Sequence, residues 1–256
     1  MTPTPHADHS PGSSPGRGGS TPAPGAVLFD IDGTLVDSNF LHVHAWALAL
    51  GDAGHPVDSW RIHRAIGMGS SLLLSDLLGD VVDRLGDAVK DGHSERYAAM
   101  ADRLRAFDGA RDLVRAVADR GAVTVLATSA VPEELERLLD VLDLADVLDA
   151  VTAAEDVEAA KPDPELVQVA LDKAGVPADR AVFVGDSVWD VQAAARASVP
   201  CVGVLTGGTS AAELTEAGAV AVYDDVAHLL REIDESPLAA LWDAADRDQA
   251  SGGDRH

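Results

Sequence analysis

Ala26-Val27-Leu28-Phe29-Asp30-Ile31-Asp32-Gly33-Thr34-Leu35-Val36-Asp37-Ser38 is the stretch that decides the fold. Four apolar residues run into two acids one residue apart, and a glycine follows. A short run that is apolar at every position suits a strand covered by helices on both faces. Period-two alternation then sends Asp30 and Asp32 to the same side at its carboxyl end. Two unpaired carboxylates there would be costly unless a cation or shared protons offset their repulsion. Taken alone, Asp-x-Asp-Gly-Thr also reads as a turn with exposed acids, so the rest of the chain must decide.

Working outward, further short apolar runs predict strands over Val123–Ala127, Ala150–Thr152, Ala181–Val184, Cys201–Leu205 and Val220–Tyr223. Helical patterns alternate with them. Leu113, Val114 and Val117 share a face before Gly121, and Leu135, Leu138, Leu139 and Leu142 share one after Pro132. Alternation of this kind predicts an α/β fold with an open, doubly wound parallel sheet. Residues 40–107 break the pattern. They show helical spacings, such as Leu41, His44, Ala45 and Leu48, and no strand, which predicts an all-helical cap inserted after the first strand, over the crevice where such sheets bind ligands. The expected division is a catalytic core over 26–39 and 108–234, the cap over 40–107, a floppy tail over 1–25 rich in Pro, Gly and Ser, and a loose tail over 235–256.

Composition narrows the function. The chain has 256 residues, 46% hydrophobic and 24% charged, enough for one substantial core and a smaller satellite. Its 19 basic and 43 acidic residues give a formal charge of −24. Nucleic acid and anionic membrane surfaces are therefore poor partners. A single cysteine, Cys201, forms no internal disulfide, and no apolar run approaches the ~18 residues of a membrane span. A cytoplasmic protein is expected.

Three more motifs fall at predicted strand ends. Val125-Leu126-Ala127-Thr128-Ser129 ends in hydroxyls, which can bind an oxyanion without adding charge or simply cap the next helix. Lys161-Pro162-Asp163-Pro164 carries one of only three lysines in the chain, with Lys90 and Lys173. A compact ammonium suits a phosphoryl group, although a solvated loop lysine is the plainer reading. Gly185-Asp186-Ser187-Val188-Trp189-Asp190 puts Asp186 at a strand end and Asp190 one turn into a helix; a helix-start capping box is the plainer reading here. Oxygen-only ligands suit magnesium and, with no nearby His or Cys, argue against zinc. Asp30, Asp186 and Asp190 with a phosphate dianion would bring about five negative charges together against Lys161 alone, an imbalance that calls for a divalent metal.

These four motifs, in this order and with a helical insert after the first, resemble the haloacid dehalogenase superfamily, specifically its helical-cap phosphatases, and look similar to phosphoglycolate-phosphatase-like and β-phosphoglucomutase-like members. The resemblance spans roughly residues 26 to 234 and implies a Rossmann-like core. By matched position it implies Asp30 as the nucleophile that becomes an aspartyl phosphate and Asp32 as the general acid and base. Thr128 and Lys161 would hold the phosphoryl group. The implied metal set for Mg2+ is Asp30, the Asp32 carbonyl and Asp186, with Asp190 acting from behind. Because halide leaving groups need no proton, Asp32 points to phosphate esters. A magnesium-dependent phosphohydrolase acting on a small phosphorylated metabolite is the expectation, with a phosphosugar mutase or a catalytically silent binding protein as alternatives; the oligomeric state stays open.

In the cap, Gly67-Met68-Gly69-Ser70-Ser71 is a polar, flexible element able to meet substrate, while Arg61, His63 and Arg64 could contact an anionic leaving group but are better explained as a solvated helix face. His42 and His44 fall on different faces; either could approach the crevice from the base of the cap, but an ordinary exposed or core histidine is the plainer reading, and Trp46 and Trp60 read as cap core. Trp189 is expected to pack on a neighbouring helix, and Cys201 to be a small core residue.

Overall fold

The computed structural model describes residues 25–242. The expected tail over 1–25 lies outside the described residues except for Gly25, as does the 243–256 part of the expected carboxyl-terminal tail. Six strands, β1 (Ala26–Phe29), β2 (Val123–Ala127), β3 (Ala150–Thr152), β4 (Ala181–Gly185), β5 (Cys201–Val204) and β6 (Ala221–Tyr223), form one sheet in the order β3-β2-β1-β4-β5-β6. All pairs are parallel. At its centre Phe29 sits opposite Leu126 on one side and Val184 on the other, so the ends of β1, β2 and β4 lie level. Strand order reverses between β1 and β4, the switch point where open α/β sheets place their ligands.

Among the described residues ten α-helices accompany the sheet: α1 (Asn39–Asp52), α2 (Ser59–Ala65), α3 (Ser70–Leu78), α4 (Val82–Ala98), α5 (Ala110–Asp119), α6 (Pro132–Leu142), α7 (Glu165–Ala174), α8 (Val188–Arg196), α9 (Ala211–Ala217) and α10 (Val226–Arg231). The alternation along β1 divides the core in two. Val27 and Phe29 pack with Leu113, Val114 and Val117 of α5, Leu138 of α6 and Leu229 of α10. Ala26 and Leu28 face Leu166 of α7, Val191 of α8 and Leu214 of α9. This is a doubly wound, Rossmann-like α/β sheet. No helix among the described residues is long and apolar enough to cross a membrane.

Helices α1 to α4 lie between β1 and β2 and bury a cluster of their own, including Trp46, Leu50, Ile62, Leu73, Leu77 and Val89. The chain leaves and returns by two crossings tied together: the Asp37 amide donates to the Arg105 carbonyl and the Phe107 amide to the Leu35 carbonyl, both at 2.9 Å.

Several local expectations are corrected. On α1 the buried face is Leu41, His42, Ala45, Trp46 and Ala49, whereas His44 and Leu48 are exposed. The inward stripe is thus rotated, and His42 is carried into the interior. Trp60 is 65% exposed because α2 turns Ile62 and Ala65 inward, leaving the residue two before Ile62 on the opposite side. Strand β4 runs one residue further than expected, β5 stops before Leu205, and β6 starts after the exposed Val220. Residues 235–242 are not a loose tail: Leu238 and Leu241 are buried in the sheet's first core. Ser236 starts this segment, its hydroxyl donating to the Ile233 carbonyl (2.7 Å) and accepting from the Leu238 amide (3.2 Å).

If residues 235–242 belong to the core, Leu238→Ala should cost about 2 to 5 kcal/mol, the range for emptying a buried leucine site. Denaturant unfolding followed by circular dichroism measures it, and an unchanged midpoint would show that the segment is dispensable.

Candidate active site

Asp30 leaves the end of β1 with its amide donating to the Val184 carbonyl of β4 (2.9 Å), which fixes it against the neighbouring strand end. Gly33 follows in a left-handed conformation (φ 77°), where a Cβ would strike Asn39 and Asp186; this turn needs glycine for conformation and space. At the end of β4, Asp186 accepts from Thr34 Oγ1 (3.0 Å) and Asn39 Nδ2 (2.8 Å). Asn39 Oδ1 stays buried without a partner among the described residues.

Asp190 answers both of its sequence readings. Its Oδ2 accepts from the Ser187 amide (3.0 Å) and hydroxyl (2.6 Å), while the Ser187 hydroxyl accepts from the Asp190 amide. This is a capping box. Its Oδ1 accepts from Lys161 Nζ at 2.7 Å. The same ammonium donates to Asp30 Oδ1, also at 2.7 Å. Lys161 is 1% exposed, so the loop lysine is a buried cation wedged between two acids. Thr128, buried after β2, accepts from the Ala130 amide (3.1 Å), which leaves its O–H to donate into the cavity.

One oxygen each from Asp30, Asp186 and Asp190 lies within 4.8 Å of the others. Three buried carboxylates and one ammonium cannot balance. Burial pushes Asp30 up to about 7, with Lys161 pulling it down and Asp190 and Asp32 pushing it up. Burial likewise holds Asp186 well above the usual carboxylate range, helped by the charges of Asp190 and Asp30. Burial alone would lower the pKa of Lys161, but Asp190 and Asp30 raise it on balance. All-oxygen donors, excess negative charge and the unpartnered Asn39 oxygen together fit a hard divalent cation with water in its shell.

Asp32 has separate supports. Ser38 Oγ donates to its Oδ1 (2.6 Å), and His42 Nε2 lies 3.4 Å from the same oxygen. Burial opposes the charge, yet His42 and Ser38 lower the pKa of Asp32, and Asp32 raises that of His42. His42 Nδ1 meets His93 Nε2 at 3.0 Å, Tyr97 stacks on His42 and Trp46 on His93, and His93 Nδ1 lies 3.9 Å from Glu134. Burial and then the neighbouring His42 push His93 down to about 2. A protonated His42 donating to a neutral His93 satisfies both rings.

Above Asp30 and Asp32 lies a cavity of about 80 Å³, walled by Thr128 and Lys161 from the core and by Gly67, Met68 and Ser70 from the cap. The glycine-rich element does line the space where a substrate would sit. A Cβ at Gly69 would strike Ala160, and one at Gly67 (φ 96°) would come within 2.7 Å of Ser187 Oγ, so the loop is seated on both walls of the crevice.

The structure brings Asp30, Asp32, Thr128, Lys161, Asp186 and Asp190 to one place. Sequence reasoning missed Thr34 and Asn39 as partners of Asp186 and His93 behind Asp32, and it placed an approach of His42 to the crevice below an ordinary histidine. The Thr34 hydroxyl was visible within the first motif, but nothing local signalled the others. Arg61, His63 and Arg64 stay outside the cavity. Arg64 pairs with Glu213, His63 Nε2 meets the Gly207 carbonyl at 2.8 Å, and Trp189 donates to the Arg64 carbonyl at 3.2 Å. These contacts tie α2 to the core, and Trp189 reaches the cap rather than resting on a neighbouring core helix. Cys201 is buried, as expected of a core residue.

A profile of the haloacid dehalogenase-like hydrolase family matches residues 24–198. The phosphoglycolate phosphatase of Rhodospirillum rubrum is 35% identical over 217 residues, covering 80% of this chain and 89% of that protein. The phosphorylated carbohydrates phosphatase of Thermotoga maritima is 29% identical, over 81% and 99%. A crystal structure of a hydrolase from Pseudomonas syringae superposes with a TM-score of 0.79 at 35% identity, over 82% of this chain and 98% of that one.

A carboxylate cation site makes a signed pH prediction. Without a cation, the folded chain keeps on Asp30 a proton that the unfolded chain sheds near 3.8, so this group's contribution to stability falls as pH rises from 3.8 to about 7. A cation must displace such protons, so its affinity rises over the same range. Magnesium at ~100 times its Kd should stabilise by about 2.7 kcal/mol, roughly 5 to 10 °C in melting temperature. Thermal melts with and without magnesium should show a larger shift at pH 7.5 than at pH 5.5; equal shifts, or none, would count against the site.

Proposed function

The chain belongs to the haloacid dehalogenase-like hydrolases, and on that footing we propose that it is a magnesium-dependent phosphohydrolase that cleaves a small phosphorylated metabolite through an aspartyl phosphate on Asp30. One observation carries the reading: a nucleophile, a separately supported acid, a buried ammonium and a cation-hungry carboxylate group share the walls of one cavity. A silent binding protein has no chemical need for that whole set. Relatives named phosphatases, at 35% and 29% identity, favour hydrolysis over the mutase alternative, in which the phosphoryl group would pass to a sugar instead of water.

Asp30, Asp186 and the Asp32 carbonyl would hold the magnesium ion, whose positive charge lets a carboxylate approach a phosphate dianion. Asp190 would serve from behind, because its two oxygens already hold Lys161 and Ser187. Asp30 gives Oδ1 to Lys161, which leaves Oδ2 to attack phosphorus in line as the ester P–O bond breaks. Lys161 and Thr128 take up charge on the phosphoryl oxygens. Asp32, in its acid form, protonates the departing alcohol oxygen. As its conjugate base it then takes a proton from the water that attacks the aspartyl phosphate, and Asp30 is released as a carboxylate. Ser38 and His42 hold that side chain in place through both steps.

Asp30→Asn should lower phosphomonoester turnover by at least ~10³-fold, since the nucleophile is removed. Asp32→Ala should cost ~10² to 10⁴-fold on alkyl phosphates, the usual worth of general acid and base catalysis, and clearly less on p-nitrophenyl phosphate, whose leaving group departs without a proton. Steady-state kinetics with magnesium, and with chelator as a control, test this. Wild-type rates in the Asn variant, or indifference to chelator, would defeat the proposal.

A further inference from the structure

Beside the loop Gly67-Met68-Gly69 lies a second cavity of about 640 Å³, between the start of α3 and the loop that carries Lys161. Ser70, Lys90, Ser129, Val131 and Lys161 line both spaces, so they stand where the two cavities adjoin. Two of these five residues are cations, and they are in opposite situations. Lys161 is buried and committed to Asp30 and Asp190. Lys90, on the cap helix α4, has no hydrogen bond or ion pair among the described residues.

Among the described residues Lys90 is the one lysine in this situation, although the arginines Arg61, Arg84 and Arg231 likewise have no hydrogen bond or ion pair. Acids outnumber bases by 43 to 19, and the other two of the three lysines are paired, Lys161 as above and Lys173 with Asp156. On α4 the residues four positions either side of Lys90, Gly86 and Ser94, are uncharged; Asp87, three positions before it, makes no ion pair with it, and Ser94 lines the inner cavity alongside it. The remaining charged groups of that cavity are mainly carboxylates: Asp30, Asp32 and Glu134. A leaving alcohol that carried its own negative group would be repelled by all three and would find Lys90 on the cap wall, the one cation without a partner that lines both spaces; Arg196, in the outer cavity, donates to the Pro162 carbonyl. A neutral alcohol would meet no such selection.

We propose that Lys90 is a specificity-determining residue that selects phosphate esters whose alcohol portion carries a second anionic group, a carboxylate or a second phosphate, over esters of neutral alcohols. The assignment rests on the phosphohydrolase reading above. Its chemistry is a single charge-assisted contact made by a point-charge ammonium, available in the ground state as well as during transfer, so it acts mainly on KM.

The test compares matched pairs of esters. Phosphoglycolate and 2-hydroxyethyl phosphate differ only in whether a carboxylate is present; glucose 1,6-bisphosphate and glucose 6-phosphate report a second phosphate. In the wild type, kcat/KM should favour the anionic member of at least one pair by tenfold or more, and the favoured pair identifies the anion. Lys90→Ala should collapse that ratio at least tenfold through KM, Lys90→Arg should restore most of it, and Lys90→Glu should bring it below one. Ratios unmoved in both the Ala and Glu variants, or a loss confined to kcat, would overturn the role of Lys90 while leaving the phosphohydrolase standing. Failure of the wild type to hydrolyse any ester, p-nitrophenyl phosphate included, would overturn both.

Discussion

Lys161 Nζ, 2.7 Å from both Asp30 and Asp190, is the contact on which the arrangement of the site depends. Removing a charge from water costs several kcal/mol, and an ion pair recovers this only when its geometry is good and its remaining hydrogen-bonding capacity is met. Both conditions hold at Asp190, whose second oxygen caps α8. They hold only in part at Asp30 and Asp186, which together carry more negative charge than one ammonium can neutralise. A buried triad that remains short of positive charge is a poor way to stabilise a fold. It is a good way to keep carboxylates ready for a cation and a phosphate.

The fold supplies this arrangement through level strand ends. Because β1 pairs in register with both β2 and β4, Asp30 emerges level with Ala127 and Gly185, one residue before Thr128 and Asp186, and the turn at Gly33 lets the chain bend across them without a side chain in the way. The Asp32 side relies on the inserted helices instead. Ser38 and His42 stand at the start of α1, where the chain leaves the core, and His93 comes from α4. Nucleophile and acid are thus held by different parts of the molecule: the sheet fixes the first, whereas the second depends on how the cap helices sit.

That division explains what could be read in the sequence. Strand positions and the four motifs were legible because apolar runs ending in acid or glycine are local signals, and the sheet needs those residues where they stand. The partners of Asp186 were not, since Asn39 lies 147 positions away and an asparagine at a helix start has many ordinary uses. For a different reason, His42 was not singled out from His44. Apolar periodicity on α1 can be drawn through Leu41, His44, Ala45 and Leu48 or through Leu41, His42, Ala45, Trp46 and Ala49, and only packing against α4 and its histidine selects the second. Residues 235–242 contain too few apolar groups for a pattern to stand out, although Leu238 and Leu241 are enough to dock the segment.

The charge of the whole chain makes local positive charge more important. At −24 the molecule repels the anions it is built to process, but mobile ions screen that field beyond about 8 Å at physiological salt. Within the crevice screening is weak and the nearest groups dominate. Capture of a phosphate ester therefore turns on a handful of positive groups: Lys161 and a cation at the strand ends, and Lys90 on the cap wall. The first two face the group being transferred and act alike on every phosphate ester. Only the cap side faces what differs between one substrate and another, so selectivity is expected to change with substitutions on α3 and α4, and phosphoryl chemistry with substitutions at the ends of β1, β2 and β4.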